Sequence, residues 1–306
     1  MTIKVLGHSA PDTDSTGSPI IWAWYLTHVR LTPASAVLLG EPNSEAAFVL
    51  EHWQLPCPEI IDDVAPGEDV VIVDTNNVAE LPASINDANV LQIIDHHMLQ
   101  GGLKTRSPID ITIRPLACTA TIMFQLMGDD GAKMPDAIKG VMLSCIVSDT
   151  LEFRSPTTTE TDKQVAVGLA SDLGIDIPKY AARMFAAKSD VSSFSDAQLL
   201  RMDSKVYETD NMKFRVSVLE TTTPGTILER KVALMAAMDD VATQDEVDQV
   251  LLFVVDILNQ ASTLLIQNDS VRAIAAKSFD VKVSGDTVVL PGIVSRKKQI
   301  IPHLKV

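Results

Sequence analysis

Asp95-His96-His97 places one acid and two imidazoles directly after Val90-Leu91-Gln92-Ile93-Ile94, an apolar run that reads as a buried strand. Groups of this kind beside a core are costly unless something pairs with them. A metal would do so, and the chain supplies further ligands of the right type. Gly7-His8-Ser9-Ala10-Pro11-Asp12-Thr13-Asp14-Ser15 carries three, Val73-Asp74-Thr75-Asn76 one, and Ser148-Asp149-Thr150 another. These segments are expected to converge on a pair of divalent cations, with Asp74 as the candidate bridge. Imidazoles and carboxylates together suit Mn2+, Co2+, Fe2+ or Zn2+ better than Mg2+ alone. Two such ions about 3.5–4 Å apart can activate a bridging water and stabilise both oxygens of an in-line displacement. Each residue also has a plainer reading. Pro11 makes its segment a loop that can wrap a cation, yet Asp12 or Asp14 could equally cap a helix after Ser15. Asp74 could be a turn residue, and Asp95 with its histidines a satisfied structural group. The joint occurrence carries the inference, because each plain reading would have to hold independently.

The elements that must position these groups are legible from hydrophobic pattern. Strands are expected at Ile3 to Leu6, Ala36 to Gly40, Asp69 to Asp74 and Val90 to Asp95. Helices are expected over Thr16 to Arg30 and from Ser44, as N-cap, to Trp53. Short apolar strands alternating with helices indicate βαβ units and a mainly parallel sheet with helices on both faces. The segments at His8, Asp74 and Asp95 all follow strand carboxyl ends, where open α/β sheets bind ligands. Helices follow at Thr119 to Met127, Pro135 to Val147, Thr161 to Leu173 and Pro178 to Ala187, with Pro135 and Pro178 suited to first turns. The polar, Ser-rich stretch 188–194 reads as a linker between a first domain, residues 1–187, and a second, residues 195–306. In the second, helices are expected around Ala197 to Met202 and over Leu228 to Met238. Strands are expected at Lys213 to Leu219, Val250 to Val255, Thr263 to Ile266 and Val288 to Leu290, giving a smaller mixed α/β domain.

Composition limits the function classes. The chain has 306 residues, 46% of them hydrophobic, and a formal charge of −15. Such a charge argues against a nucleic-acid partner held by phosphate neutralisation and is compatible with binding hard cations. A small anionic substrate then needs a local positive site, and Ser295-Arg296-Lys297-Lys298-Gln299 is the cluster that interrupts the acidic background. Aromatic residues are only 5%, which does not suggest a base-stacking platform. Cys57, Cys118 and Cys145 form no metal motif or disulfide framework. With no signal-like start and no run of 18 apolar residues, the expectation is a cytoplasmic protein without a membrane span.

At this point the residues resemble the DHH phosphoesterase superfamily and, within it, the family II, manganese-dependent inorganic pyrophosphatases. The resemblance runs over nearly the whole chain. It rests on the Gly-His-x-x-Pro-Asp-x-Asp-Ser opening, the Val-Asp-x-Asn and Asp-His-His motifs, Cys118-Thr119-Ala120-Thr121, Ser148-Asp149 and the terminal Ser-Arg-Lys-Lys-Gln. The last motif is the specific one, since phosphodiesterase members typically carry a glycine-rich, His-containing motif in the second domain. The resemblance implies His8, Asp12 and Asp74 on one metal, and Asp14, Asp74, His96 and Asp149 on the other. It implies His97, Lys205, Arg296 and Lys297 on the substrate, and Asp95 orienting an imidazole. It further implies two Mn2+ per subunit with Co2+ as substitute, Mg2+ arriving with pyrophosphate, and a homodimer. The implied reaction is hydrolysis of pyrophosphate by a bridging hydroxide, with the second domain closing over the substrate.

Two departures from the family pattern stand out. Thr75 is where a histidine is frequent, and Ser9-Ala10 where a lysine and an asparagine are usual. Neither removes a metal ligand, and both bear on metal preference. The alternative activity is a DHH-type phosphodiesterase acting on short oligonucleotides or cyclic dinucleotides. An alternative of another class is a non-catalytic anion-binding protein that keeps the motifs as a metal-stabilised fold.

Overall fold

The apolar runs of the first half form short strands whose side chains are shut from water: Val5, Leu6, Val70, Ile72, Val73 and Ile94 are all buried. The computed structural model describes residues 2–188, 191, 194–209 and 212–305, apart from the side chains of Lys297 and Lys298. The chain divides into two units, Met1–Ala187 and Lys188–Val306.

The first unit runs β1 (Ile3–Leu6), α1 (Thr13–His28), β2 (Ala34–Leu38), α2 (Ser44–His52), β3 (Glu59–Ile60), β4 (Asp69–Val73), β5 (Asn89–Asp95) and β6 (Asp110–Ile113), then α3 (Thr119–Met127), α4 (Asp136–Asp149), α5 (Glu160–Leu173) and α6 (Ile177–Lys188). The sheet order is β3-β2-β1-β4-β5-β6, and the neighbouring strands pair in parallel. The chain moves one way from β1 and the other way from β4, so these adjacent strands form the topological switch point. A crevice opens there beyond the strand ends. On one side of the sheet Leu6, Val70, Ile72, Val90 and Ile93 pack on Leu81, Ile85 and Ala88 from short 3-10 turns. The long helices α1 and α3 pack against the strands as well, and α4 against α1.

The second unit runs α7 (Asp196–Met202), β7 (Ser204–Glu208), β8 (Lys213–Thr221), α8 (Pro224–Leu228), α9 (Lys231–Gln244), β9 (Gln249–Asp256), β10 (Ala261–Leu265), α10 (Asp269–Phe279), β11 (Thr287–Pro291), a π-helical turn Arg296–Ile300 and α11 (Ile301–His303). Its sheet is mixed, in the order β11-β10-β9-β8-β7. β8 and β9 are parallel and the other pairs antiparallel. Alternation along the central strands gives two apolar layers. Val216, Val218, Leu251 and Phe253 meet Val271 and Ile274 of α10, while Leu219, Leu252 and Val254 meet Leu199, Leu234 and Met238.

The mainly parallel sheet and the mixed second sheet are as expected, and the differences lie at boundaries and edges. α1 starts at Thr13 rather than Thr16, because Asp12 caps it. Asn43 caps α2 in place of Ser44: its side chain accepts from Ala46 N and its ψ of 169° keeps it outside the helix. The helix expected over Leu228 to Met238 is two helices, α8 and α9, separated at Glu229-Arg230. β3, β6, β7, α10 and α11 were not anticipated. Of the expected linker 188–194, Lys188 closes α6, and 189, 190, 192 and 193 lie outside the described residues.

Candidate metal centre

Three backbone features aim the acidic and imidazole groups at the crevice. The loop after β1 turns tightly at Gly7, where a Cβ would sit 2.1 Å from Ser15 Oγ. That close approach lets Ser15 Oγ accept from His8 N at 2.8 Å. Asp12 then caps α1, accepting from Ser15 N at 2.9 Å. The capping and metal-binding readings of Asp12 are therefore compatible, since its carboxylate also lies 3.8 Å from His8 Nε2. After β4, Asp74 adopts φ +59°, a conformation non-glycine residues rarely take and one that tends to mark functional sites. The peptide remains tied to the sheet through Asp74 N to Ile94 O at 2.9 Å. At the end of β5, Asp95 ends the strand and accepts from His96 N, His97 N and His97 Nδ1 at 2.8, 3.1 and 2.9 Å.

The result is a cluster centred on Asp74. Its Oδ2 lies 3.6 Å from His8 Nε2 and its Oδ1 3.4 Å from His96 Nε2. His8, Asp12 and Asp74 bring one ligand atom each within 4.8 Å of one another, and so do Asp14, His96 and Asp149. A third such group is Asp74, His96 and His97. His96 Nδ1 donates to Leu116 O at 3.2 Å, which leaves Nε2 as the ligand atom, as metal-binding imidazoles require. Asp14 accepts from Ser18 Oγ at 2.7 Å and from Thr119 N at 2.7 Å, and Thr119 Oγ1 donates to Asp74 at 3.1 Å. The Cys118-Thr119-Ala120-Thr121 motif thus holds two candidate ligands at once through Thr119. Sequence reasoning assigned that threonine no task, although a hydroxyl residue at a helix start was the available signal.

The electrostatics suit a cation. Asp14 and Asp74 are buried, and Asp149 keeps a buried Oδ2 with no hydrogen-bond partner. Burial, and then the charge of Asp14, push the Asp74 and Asp149 carboxyls well above the usual carboxylate range. Burial lowers the His96 imidazole, favouring the neutral form that ligates. An unpartnered buried carboxylate oxygen beside mutually repelling acids is what a divalent ion would satisfy. The donor set of imidazoles and carboxylates fits Mn2+.

His97 differs from His96. It is 52% exposed, and its hydrogen bond to Asp95 raises its pKa above the ordinary imidazole value. Asp95 itself is held low: burial works to raise it, but hydrogen bonds from His97 and Asn76 outweigh that. His97 lines a cleft of about 310 Å3 with His8, Ser9, Ala10, Thr75 and Glu80. Thr75 donates to Glu80 at 2.7 Å, so the position where histidine is frequent here carries a hydroxyl tied to an acid.

In the second unit Lys205 of β7 and Arg296 line a separate cavity of about 650 Å3 with Asp203, Tyr207 and Glu220. Arg296 Nη2 meets Asp203 Oδ1 at 2.7 Å, and Nη1 donates to Asp203 O at 2.8 Å. Gln299 braces the turn by accepting from Val294 N and Ser295 N, each at 2.9 Å. The side chain of Lys297 lies outside the described residues.

The comparisons with known proteins agree with this architecture. The DHH family, N-terminal domain, matches residues 2–147, and the DHHA2 domain matches residues 182–306. Fold and site together define a DHH–DHHA2 phosphoesterase architecture. A Deinococcus radiodurans protein described as a "probable manganese-dependent inorganic pyrophosphatase" is 37% identical over 99% of this chain and 98% of its own length. One from Lactobacillus acidophilus with the same description is 34% identical over 98% and 96%. A Methanococcus jannaschii crystal structure described as a "putative family II inorganic pyrophosphatase" superposes with a TM-score of 0.64, at 29% identity, over 99% of this chain and 98% of that one. The chain belongs to the family II, manganese-dependent inorganic pyrophosphatases.

Proposed function

We propose that this chain hydrolyses inorganic pyrophosphate to two phosphates, with two Mn2+ held by the first unit. His8, Asp12 and Asp74 would hold one ion, and Asp14, Asp74, His96 and Asp149 the other. The observation that carries the metal reading is the gathering of these six side chains into two groups of three, bridged by the approach of Asp74 to His96, with one carboxylate oxygen of Asp149 buried and without a hydrogen-bond partner. The substrate reading rests on the activity named for the full-length relatives. When bound, such a pair supplies a nucleophilic water at neutral pH and offsets charge on the reacting oxygens.

The chain's own residues do the remaining work. Asp95 holds His97 Nδ1, which leaves Nε2 directed away from Asp95 and able to donate a proton to the leaving phosphate. Arg296 offers a planar fork and Lys205 and Lys297 point charges, which suits a small, highly charged substrate with no base or sugar. Engagement of these cations with the substrate on closure of the second domain belongs to the same proposal. So do Mg2+ as companion of the substrate and Co2+ as substitute. A homodimer through the first unit is supported by the outer edge of β6, where Ile111 is 54% exposed. A cytoplasmic setting is supported by three unpaired cysteines. No helix among the described residues is long and apolar enough to cross a membrane.

The test is phosphate release from pyrophosphate by protein stripped of metal and reconstituted with Mn2+, beside a short oligonucleotide and a cyclic dinucleotide. Turnover confined to pyrophosphate and lost on chelation is expected. Preference for either nucleotide substrate, or full activity in chelator, would overturn the reading.

A further inference from the structure

Asp12 and Asp14 belong to the start of α1, and Asp149 to the end of α4. These helix ends are separated by more than 130 positions in sequence, yet their carboxylates must hold a spacing fine enough to bind ions. One buried residue outside every motif joins them. Glu45, in the first turn of α2, is fully buried. Its Oε1 accepts from Thr13 Oγ1 at 2.6 Å and also from Ser148 Oγ. Thr13 lies between Asp12 and Asp14, and Ser148 directly precedes Asp149. The approach of α2 to the same loop is fixed by backbone too, since Asn43 N donates to Pro11 O at 3.0 Å. At Gly40 an added Cβ would sit 3.0 Å from Ser9 O.

We propose that Glu45 is a positioning residue for the metal centre: one carboxylate oxygen, shared by two hydroxyls, locks the α1 start to the α4 end and so sets the spacing of Asp12 and Asp14 from Asp149. A buried carboxylate is costly to retain for packing alone. This one is stabilised by its hydrogen bonds and by the amino end of α2. Each hydroxyl it fixes belongs to a residue whose neighbour is a proposed ligand, so a shift at Glu45 is passed through a single peptide to both sides of the site. Groups that orient ligands from outside typically tune metal affinity by about tenfold to a hundredfold.

This inference rests on the metal site proposed above, and its test separates the two. The stripped chain is titrated with Mn2+, with free Mn2+ read by electron paramagnetic resonance. Glu45→Ala is expected to weaken Mn2+ binding by about tenfold to a hundredfold. Glu45→Gln, whose carbonyl oxygen can accept both hydroxyl protons, should restore it. If Glu45→Ala fails to fold, the paired change Thr13→Val with Ser148→Ala removes the same two hydrogen bonds and should weaken binding comparably. A parent chain that binds no Mn2+ overturns both readings. A parent that binds, with Glu45→Ala or the paired variant binding equally well, overturns the role of Glu45 alone. Equal losses in Glu45→Gln and Glu45→Ala overturn the shared-oxygen account.

Discussion

The two charged regions of the chain are built on opposite terms. In the first unit Asp14, Asp74 and Asp149 are drawn into the sheet end, where burial and the charge of Asp14 resist ionisation of Asp74 and Asp149. Asp14 and Asp74 are held in position by Thr119, Ser18 and the left-handed turn at Asp74. In the second unit the cations stand at a wide cavity, and Arg296 already has an acid, Asp203, at 2.7 Å. The first region is shaped in advance for a counter-charge that no side chain of the cluster supplies. The second already pairs its arginine with an acid of the same unit. Removing a component should therefore cause collapse of metal chemistry in one and a graded loss of substrate affinity in the other.

The sharpest way to break the contrast is Asp149→Ala. Losing a ligand at a centre worth several kcal/mol of transition-state stabilisation should lower phosphate release by roughly a thousandfold or more. Metal analysis should show one ion fewer. Parental turnover in this variant would show that the buried acids are structural. Chelation comes next. Saturation at about a thousand times Kd adds about 4 kcal/mol of stability, which for a unit of this size is a rise of roughly 10 °C in melting temperature. Calorimetry should assign that rise to the first unit and leave the second unmoved, and a uniform shift in both would refute the division of labour.

Arg296→Ala should act more mildly. A charge-assisted hydrogen bond is worth about 1.5–3 kcal/mol, so kcat/KM should fall by about tenfold to a hundredfold. Bound Mn2+ should be unchanged. Arg296→Lys should not rescue, because the ammonium cannot reproduce the two-pronged contact now made to Asp203. Loss of metal in either variant would mean that the two regions are not independent.

How far the sequence could be read follows the same divide. β4 and β5 were evident because Val70 to Val73 and Val90 to Ile94 are apolar runs too short for helices, as parallel strands buried on both faces should be. The placement of His8, Asp74 and Asp95 at strand ends followed from that pattern. β7 was missed because it is an edge strand of polar alternation, Ser204 to Glu208, and Lys205 was located only through its motif. The supports of the centre were harder still. Thr119 reaches Asp14 across 105 positions and Ser148 reaches Glu45 across 103. Nothing local marks such pairs, since a buried hydroxyl is as often satisfied by its own helix. The capping of α2 was misplaced by one residue because Asn43 and Ser44 are both good caps, and only the backbone angles choose between them.

The smallest expected effect is also the one that separates the two regions by sign. For Asp74 and Asp149 the folded carboxyl is the weaker acid, first through burial and then through the charge of Asp14. The stability this lends the stripped first unit is full below about pH 4, the ordinary carboxyl value, and is lost as pH rises through the raised values. Mn2+ demands the ionised ligands, so its binding releases protons and tightens as pH rises. Asp245 in the second unit is displaced the other way, by its hydrogen bond with Arg201 foremost and by the charge of Arg215. Its contribution is present above about pH 4 and disappears as pH falls through its lowered value. As pH rises from about 4 through the raised carboxyl values, then, the stripped first unit should melt at progressively lower temperature while the second holds steady, and added Mn2+ should reverse the first trend. If the metal-free first unit instead gains stability across that range, the acids at the sheet end are not repelling one another, and the case for a divalent cation there fails.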